Sequence, residues 1–261
     1  MECQHAAVGA LSWALLLGGA AYLLRQTRIP ARYGRYVVAG ARSCPARLGW
    51  FLQEVPGLLV PLLLLLTGDR TGSSGDRTGS SGDRTGRTLL LCTFVLHYFH
   101  RSLIYAFLTR GRAIPLTIVL SATTFCSLNG FLQGHHLLHC ARFQHTWLRD
   151  ARLAAGFLLF VVGMIINLHS DHILRGLRRP GETVYRIPRG GMFEFVSGAN
   201  FLGEILEWGG YALASWSLPA TAFAFFTACS IGPRAYQHHR DYQQRFGDYP
   251  RHRKALIPFI L

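Results

Sequence analysis

The chain has 261 residues, half of them hydrophobic and only 15% charged, with a formal net charge of +14. Together with a positive mean hydropathy, that balance excludes an intrinsically disordered chain and does not suit an ordinary soluble domain. The basic surplus points to nucleic acid, a membrane or an anionic ligand, and the distribution of the arginines decides among them.

Seven apolar runs recur along the chain, at about 7–24, 49–66, 88–108, 115–139, 152–173, 193–215 and 218–233. A span across a bilayer about 30 Å thick takes roughly 18 or more apolar residues. The first, second, fourth and fifth runs meet that length. The third and sixth carry polar residues, and the seventh is short. The fold class this predicts is all-α: one polytopic membrane domain over 1–261, a bundle of seven transmembrane helices, because an open sheet leaves backbone groups unsatisfied in hydrocarbon. The flank before the first run, MECQHAA, has no basic residue, whereas Arg25 and Arg28 follow it. That polarity fits a retained helix with its N-terminus outside or lumenal better than a cleaved signal.

The second run opens FLQEVP, with Glu54 a few residues inside. After it, residues 68–86 repeat the seven-residue unit GDRTGSS. Gly, Ser and Asp/Arg pairs cannot bury a core, so a flexible lumenal loop without a catalytic role is expected there. The third run contains LHYFHRSLIY, where Tyr98, Arg101 and Tyr105 are spaced to share a helix face. The fifth ends INLHSDHILR, with Asn167 and Asp171 four apart. The sixth reads GANFLGEILEW, placing Asn200, Glu204 and Trp208 on one stripe. Glu207 lies off that stripe and is expected to have a structural partner.

With alternating spans, 19 of the 27 Lys/Arg fall in the loops 25–47, 110–112 and 175–189 and the tail 234–254. This side is therefore cytosolic by the positive-inside rule. Topology thus accounts for much of the charge, and nucleic acid is not implied. The C-terminal stretch, polar with regular aromatics, is expected to fold back over the cytosolic side. Polar groups inside spans are costly, and helix-to-helix glue explains any one of them as well as function does. As a set, on four helices, they predict a cavity opening to the cytosol. Glu204 would lie roughly 15 Å deep at 1.5 Å per residue.

Histidines 97/100, 135/136/139, 169/172 and 238/239 suggest a metal, but topology divides them between the two faces, so none is predicted. No GxGxxG or P-loop is present. Arg112, Arg178, Arg179, Arg186, Arg189 and Arg234 supply phosphate-binding chemistry on the cytosolic side instead. The six cysteines form neither a disulfide framework nor a zinc site. A lumenal Cys3–Cys140 bridge stays open, with little in the spacing to support it.

The runs WFLQEVP, LHYFHRSLIY, INLHSDHILRGLRRPGETVYRIPRGGMFEFVSGANFLGEILEWGGYALASWSLPA and RKALIPFIL resemble the steroid 5-alpha-reductases (3-oxo-5-alpha-steroid 4-dehydrogenases), most of all the vertebrate type 1 and type 2 members. The resemblance runs from about residue 28 onward and is strongest over 160–226. It implies a seven-helix enzyme of the endoplasmic reticulum membrane that uses NADPH to reduce the 4,5 double bond of 3-oxo-Δ4 steroids. Its partners would be the steroid and the lipid bilayer, with no nucleic acid and no obligate protein partner.

Carried onto this chain, the resemblance gives Glu54 and Tyr98 the steroid 3-keto group, and gives Trp208, Phe226 and Phe125 the pocket wall. Asn167, Asp171, Arg178, Tyr185, Arg186, Asn200, Glu204, Arg234, His238 and Tyr242 fall around the cofactor, with Arg101 and Arg112 as further phosphate-side contacts. Ser121 and Ser230 stand where type 2 members have an arginine and a phenylalanine, which leaves substrate preference open. The alternatives are another membrane sterol reductase, an isoprenylcysteine-type methyltransferase, or a sterol-binding protein without activity.

Overall fold

The computed structural model describes residues 3–30, 34–37, 40–70, 81–143, 146–177, 182 and 184–261. Helix α1 (His5–Arg28) ends with Arg25 and Arg28 in its last turn, where cations offset the helix dipole. Helix α2 (Ala46–Arg70) carries Pro56 and Pro61 inside. Pro61 approaches Gly130 and Gly134 of α5 (Leu116–His135), so a Cβ at either glycine would lie 3.1–3.3 Å from it. Helix α3 (Ser81–Phe99) runs through a π-helical turn, His100–Tyr105, into α4 (Ala106–Leu108). Helix α5 likewise ends in a π turn, His136–Cys140. Such turns offset the side chains on either side of them and recur at functional sites.

Helix α6 (Ala151–Gly176) is N-capped by Asp150, and α8 (Leu218–Arg245) by Ser217, whose side chains accept from the Arg152 and Ala220 amides. Between them lies α7 (Ala199–Ser215). The short strands β1 (Ser43–Cys44) and β2 (Ile114–Pro115) pair antiparallel, Ser43 with Pro115 and Cys44 with Ile114. They join the chain after α1 to the chain before α5.

Among the described residues, five stretches are long and apolar enough to cross a membrane: His5–Arg28, Ala46–Thr67, Asp83–Leu108, Leu116–Cys140 and Ala151–Gly176. Their outward leucines, such as Leu17 and Leu158, are about two-thirds exposed, as lipid-facing residues of a multi-pass membrane protein must be. The sixth and seventh runs differ from expectation at their boundaries. Gly190 and Gly191 have positive φ (92° and 54°) and break the helix, and Val196 bridges to Lys254, so α7 starts only at Ala199. Conversely, Pro233 does not end α8, which continues to Arg245.

The expected 68–86 loop requires correction at its two ends. Helix α2 extends to Arg70 and α3 begins at Ser81, and the residues between, 71–80, lie outside the described set. The reason is tertiary. Asp83 is buried, accepts from the Phe143 amide at 2.8 Å and pairs with Arg87. Gly86 lets the Phe143 and Trp147 rings close over the helix, so that a Cβ there would meet Phe143 at 2.9 Å. Cys3 and Cys140 form a disulfide that ties the start of α1 to the end of the α5 rod.

The closest helix pair is α6 with α7, packed antiparallel. Gly156 and Gly163 of α6 face Gly210 and Gly203 of α7, and a Cβ at any of the four would lie 2.3–2.5 Å from a backbone nitrogen of the partner helix. In lipid, where apolar side chains gain little by meeting each other, small residues that let backbones touch drive such pairing. The consequence for the site is positional: the contact sets Asn167 and Asp171 against Asn200 and Glu204. Helix α2 packs on α5, and α1 on α8. The buried centre is aromatic, with Phe94, Trp208, Tyr211 and Phe223 each at most 2% exposed.

Candidate active site

Helices α1, α2, α3, α5, α7 and α8 build a chamber of about 500 Å³, within the usual range for a small-molecule pocket. Glu54 comes from α2, Tyr98 from α3, Cys126 and Phe125 from α5, and Glu204 and Trp208 from α7, with Phe226 of α8 closing the wall. Trp208 packs on Phe223 and His97 with ring centroids 4.4 and 4.5 Å away, and Phe125 stacks on Phe226 at 4.6 Å. Flat apolar rings on two sides suit a flat apolar ligand.

Among the polar residues of this lining, Glu54 and Tyr98 stand close to the aromatic walls. The Tyr98 ring is seated against α2 where Gly57 leaves room, since a Cβ there would lie 2.4 Å from it. The Tyr98 hydroxyl accepts from Asn129 Nδ2 at 3.4 Å. Glu54 Oε2 accepts from Cys126 Sγ at 3.8 Å. A weak sulfur donor leaves the carboxyl's other hydrogen-bonding capacity for a ligand.

A second cavity, of about 210 Å³, shares Trp50, Ile114, Phe201 and Arg234 with the chamber, so the two adjoin. Among the described residues, five arginines line it, Arg110, Arg112, Arg175, Arg186 and Arg234, against one carboxylate, Asp171. That carboxylate is bound to buried Arg101 at 3.0 Å, and the Arg101 guanidinium also lies over the Tyr105 and Trp50 rings at 4.3 and 5.0 Å. The vestibule therefore carries a net positive field with aromatic faces, a donor set suited to phosphates beside a planar ring. Arg112 lies over Tyr185 at 5.3 Å, and His238 stacks between Tyr36 and Phe201, 5.8 Å from each. Arg234 Nη2 donates to Tyr22 of α1 at 3.3 Å, on the boundary between the two cavities.

The residues singled out in the sequence divide as follows. Glu54, Tyr98, Phe125, Trp208, Phe226, Arg101 and Glu204 line the chamber, and Arg234 lines both cavities. Arg112, Asp171, Tyr185, Arg186, Asn200, His238 and Tyr242 line the vestibule. Asn167 lines neither; its amide donates to the Asn200 carbonyl at 2.9 Å and locks α6 to α7. Arg178 lies outside the described residues. Glu207 pairs with His97, Oε1 to Nδ1 at 2.7 Å, both buried beneath Trp208. Cys3, His5 and Cys140 are grouped closely enough to hold a metal, but the two sulfurs are joined to each other.

The C-terminal stretch from Arg234 onward divides in two, with Arg234, Gln237, His238 and Tyr242 on the vestibule lining. Among the described residues, none beyond Tyr242 lines either cavity. Residues 246–261 brace the vestibule wall from behind instead. Buried Arg253 donates to the Pro188 carbonyl at 2.7 Å and to Glu194 at 3.2 Å, while Ser197 Oγ meets His239, Tyr249 and the Lys254 carbonyl. The Gly190 amide on Glu194 holds that carboxyl below the usual glutamate range, and burial pushes the Tyr249 phenol up. Asn129 and Gln133 are a further buried polar pair on α5, joined to each other and to the Pro219 carbonyl. The same rule that picked out Asn200 and Glu204, polar residues four apart within a span, applies to SLNGFLQG as well.

Comparison with known proteins agrees with this geometry. Residues 112–261 match the family model described as 3-oxo-5-alpha-steroid 4-dehydrogenase. The chain is 49% identical to human 3-oxo-5-alpha-steroid 4-dehydrogenase 2 over all of this chain and 99% of that protein. It is 52% identical to the rat type 2 protein over 88% of each, and 45% identical to the human type 1 protein over 97% of this chain and 95% of that one.

Proposed function

The chain belongs to the 3-oxo-5-alpha-steroid 4-dehydrogenase family, and on that premise we propose that it reduces the 4,5 double bond of 3-oxo-Δ4 steroids, testosterone and progesterone among them, with NADPH. It is an oxidoreductase and a multi-pass membrane protein. The observation that carries the reading is the junction of the two cavities: an aromatic chamber holding Glu54 and Tyr98 adjoins a vestibule with five arginines. Apolar substrate and polyanionic cofactor thus have separate, touching compartments.

NADPH, when bound, supplies the hydride received at C5. Arg112, Arg178, Arg186 and Arg234 would hold its phosphates, with Asp171, Tyr185, Asn200, Glu204, His238 and Tyr242 around the rest. Arg101 and Asn167 act from behind, on Asp171 and Asn200. Tyr98 and Glu54 hold the 3-keto oxygen. Negative charge develops there as C5 is reduced, and each donor aimed at it is worth about 10²–10³ in rate. Glu54 donates while protonated, the Trp208, Phe125 and Phe226 walls keep water from the hydride, and the enolate left by its transfer then takes its C4 proton from solvent. Helices α7 and α8 serve as the sixth and seventh spans. The Cys3–Cys140 disulfide supports a lumenal N-terminus in the endoplasmic reticulum, since such bonds persist in oxidising compartments.

The test is expression in membranes supplied with testosterone or progesterone and either NADPH or NADH, with products separated by chromatography. A 5α-reduced product formed preferentially with NADPH is expected. Folded protein that forms none would overturn the reading, and methyl transfer from S-adenosylmethionine would replace it.

A further inference from the structure

Tyr98 can serve as a donor only if its one proton points into the chamber. The hydrogen bonds behind it form a chain whose direction is fixed at the far end. The Pro219 carbonyl, in the first turn of α8, can only accept. Gln133 lies 3.0 Å from it, so the group there must be the Gln133 amide nitrogen, Nε2. The same nitrogen stands 3.2 Å from Asn129, which must therefore present its oxygen, Oδ1. That leaves Asn129 Nδ2 facing the Tyr98 hydroxyl, 3.4 Å away. All three side chains are at most 3% exposed, so no water competes with these directions. The hydroxyl oxygen, already receiving a hydrogen bond on its inner side, is left to give its proton on the other side, where the Cys126 sulfur and the chamber stand.

We infer that Asn129 and Gln133 are positioning residues for reduction: with the Pro219 carbonyl they set the polarity of a hydrogen-bond chain that orients the Tyr98 proton toward the substrate oxygen. Neither side chain lines the chamber, so they act through Tyr98. One helix face thereby governs both polar groups of the site, because Cys126, three residues before Asn129 on α5, makes the contact to Glu54. The inference rests on the donor role given to Tyr98 above.

A double-mutant cycle in the full-length enzyme tests it, with kcat expressed per mole of folded enzyme recovered on gel filtration. Asn129→Leu keeps nearly the same volume and removes the inner donor. It should lower kcat about 10-fold, the worth of one buried hydrogen bond, and leave the KM for NADPH unchanged. Gln133→Met frees the Asn129 amide to turn and should lower kcat about 3-fold; it also serves if Asn129→Leu does not fold. In a Tyr98→Phe background neither change should lower kcat further, because the proton being oriented is gone. Equal losses in both backgrounds would overturn the inference and leave Asn129 as helix packing. If Tyr98→Phe itself left kcat unaltered, the donor assignment would fall first and this chain with it.

Discussion

Gly203→Ala is the sharpest test of how the site is assembled. A methyl group at this position would lie 2.5 Å from the Asn167 nitrogen, 2.7 Å from the Gly163 oxygen and 2.9 Å from the Asn167 Cα, where ordinary contact begins at about 3.4 Å. Every one of these atoms is backbone, so no rotamer relieves the clash and α6 and α7 must part by about 1 Å. Overpacking of this kind costs about 1–3 kcal/mol, against about 1 kcal/mol gained from alanine's better helix propensity. The net loss is up to about 2 kcal/mol, which should appear as a drop of several degrees in the melting temperature of the detergent-solubilised protein. The larger effect should be on rate. Asn200 and Glu204 flank Gly203 on α7 while Asp171 stands on α6, and a displacement of about 1 Å in a reacting site costs on the order of 10²-fold in kcat/KM. Gly209→Ala, on the same helix with nothing within 4 Å, should leave both quantities unchanged or raise stability slightly. A Gly203→Ala enzyme with the melting temperature and kcat/KM of the parent would refute the idea that this crossing positions the site.

Arg112→Ala should raise the KM for NADPH about 10-fold or more with a smaller change in kcat, since it removes uniform binding rather than transition-state stabilisation; steady-state kinetics at saturating steroid measure it. Cys3→Ser opens a disulfide that closes 137 residues of sequence and should cost about 2–4 kcal/mol, read as a lower melting temperature that reductant no longer shifts. Glu194 ionises at lower pH in the folded protein than in the unfolded chain, chiefly through the Gly190 amide. Its stabilising contribution is therefore full above the ordinary glutamate value near 4.5 and fades as the pH falls through the depressed one. Glu194→Gln should accordingly be less stable than the parent at neutral pH and lose less on acidification, as melting curves across pH 3–7 would register.

Faces were legible in the sequence, but the contacts each face makes were not. Periodicity put Asn200, Glu204 and Trp208 on one stripe, and the structure places all three on the lining of the two adjoining cavities. Which helix would meet that stripe depended on Gly156, Gly163, Gly203 and Gly210, whose role appears only when two backbones are brought together. Glu207 needed a partner, but nothing local pointed to His97, 110 residues away in sequence. The 68–86 repeat misled because its composition argues for solvent, while Asp83 and Gly86 are held by Phe143 and Trp147. Spacing was equally silent on Cys3 and Cys140, because it is the helix ends meeting in space that makes the bridge.

Two kinds of polar group in the core follow from this arrangement, and lipid makes the difference between them sharp. Buried polar side chains in a membrane bundle have no water to fall back on, so most must be satisfied by other helices. Asn167 on Asn200, His97 on Glu207, Arg101 on Asp171 and Gln133 on Pro219 all obey, each joining two helices. Glu54 and Tyr98 do so only weakly, through the Cys126 thiol and one long amide contact to Tyr98. Both face the aromatic chamber. Two neighbouring groups with hydrogen-bonding capacity to spare, set in an aromatic chamber, are organised to bring one polar atom of an otherwise apolar ligand to that spot, and a ketone at one end of a flat hydrocarbon frame meets the requirement.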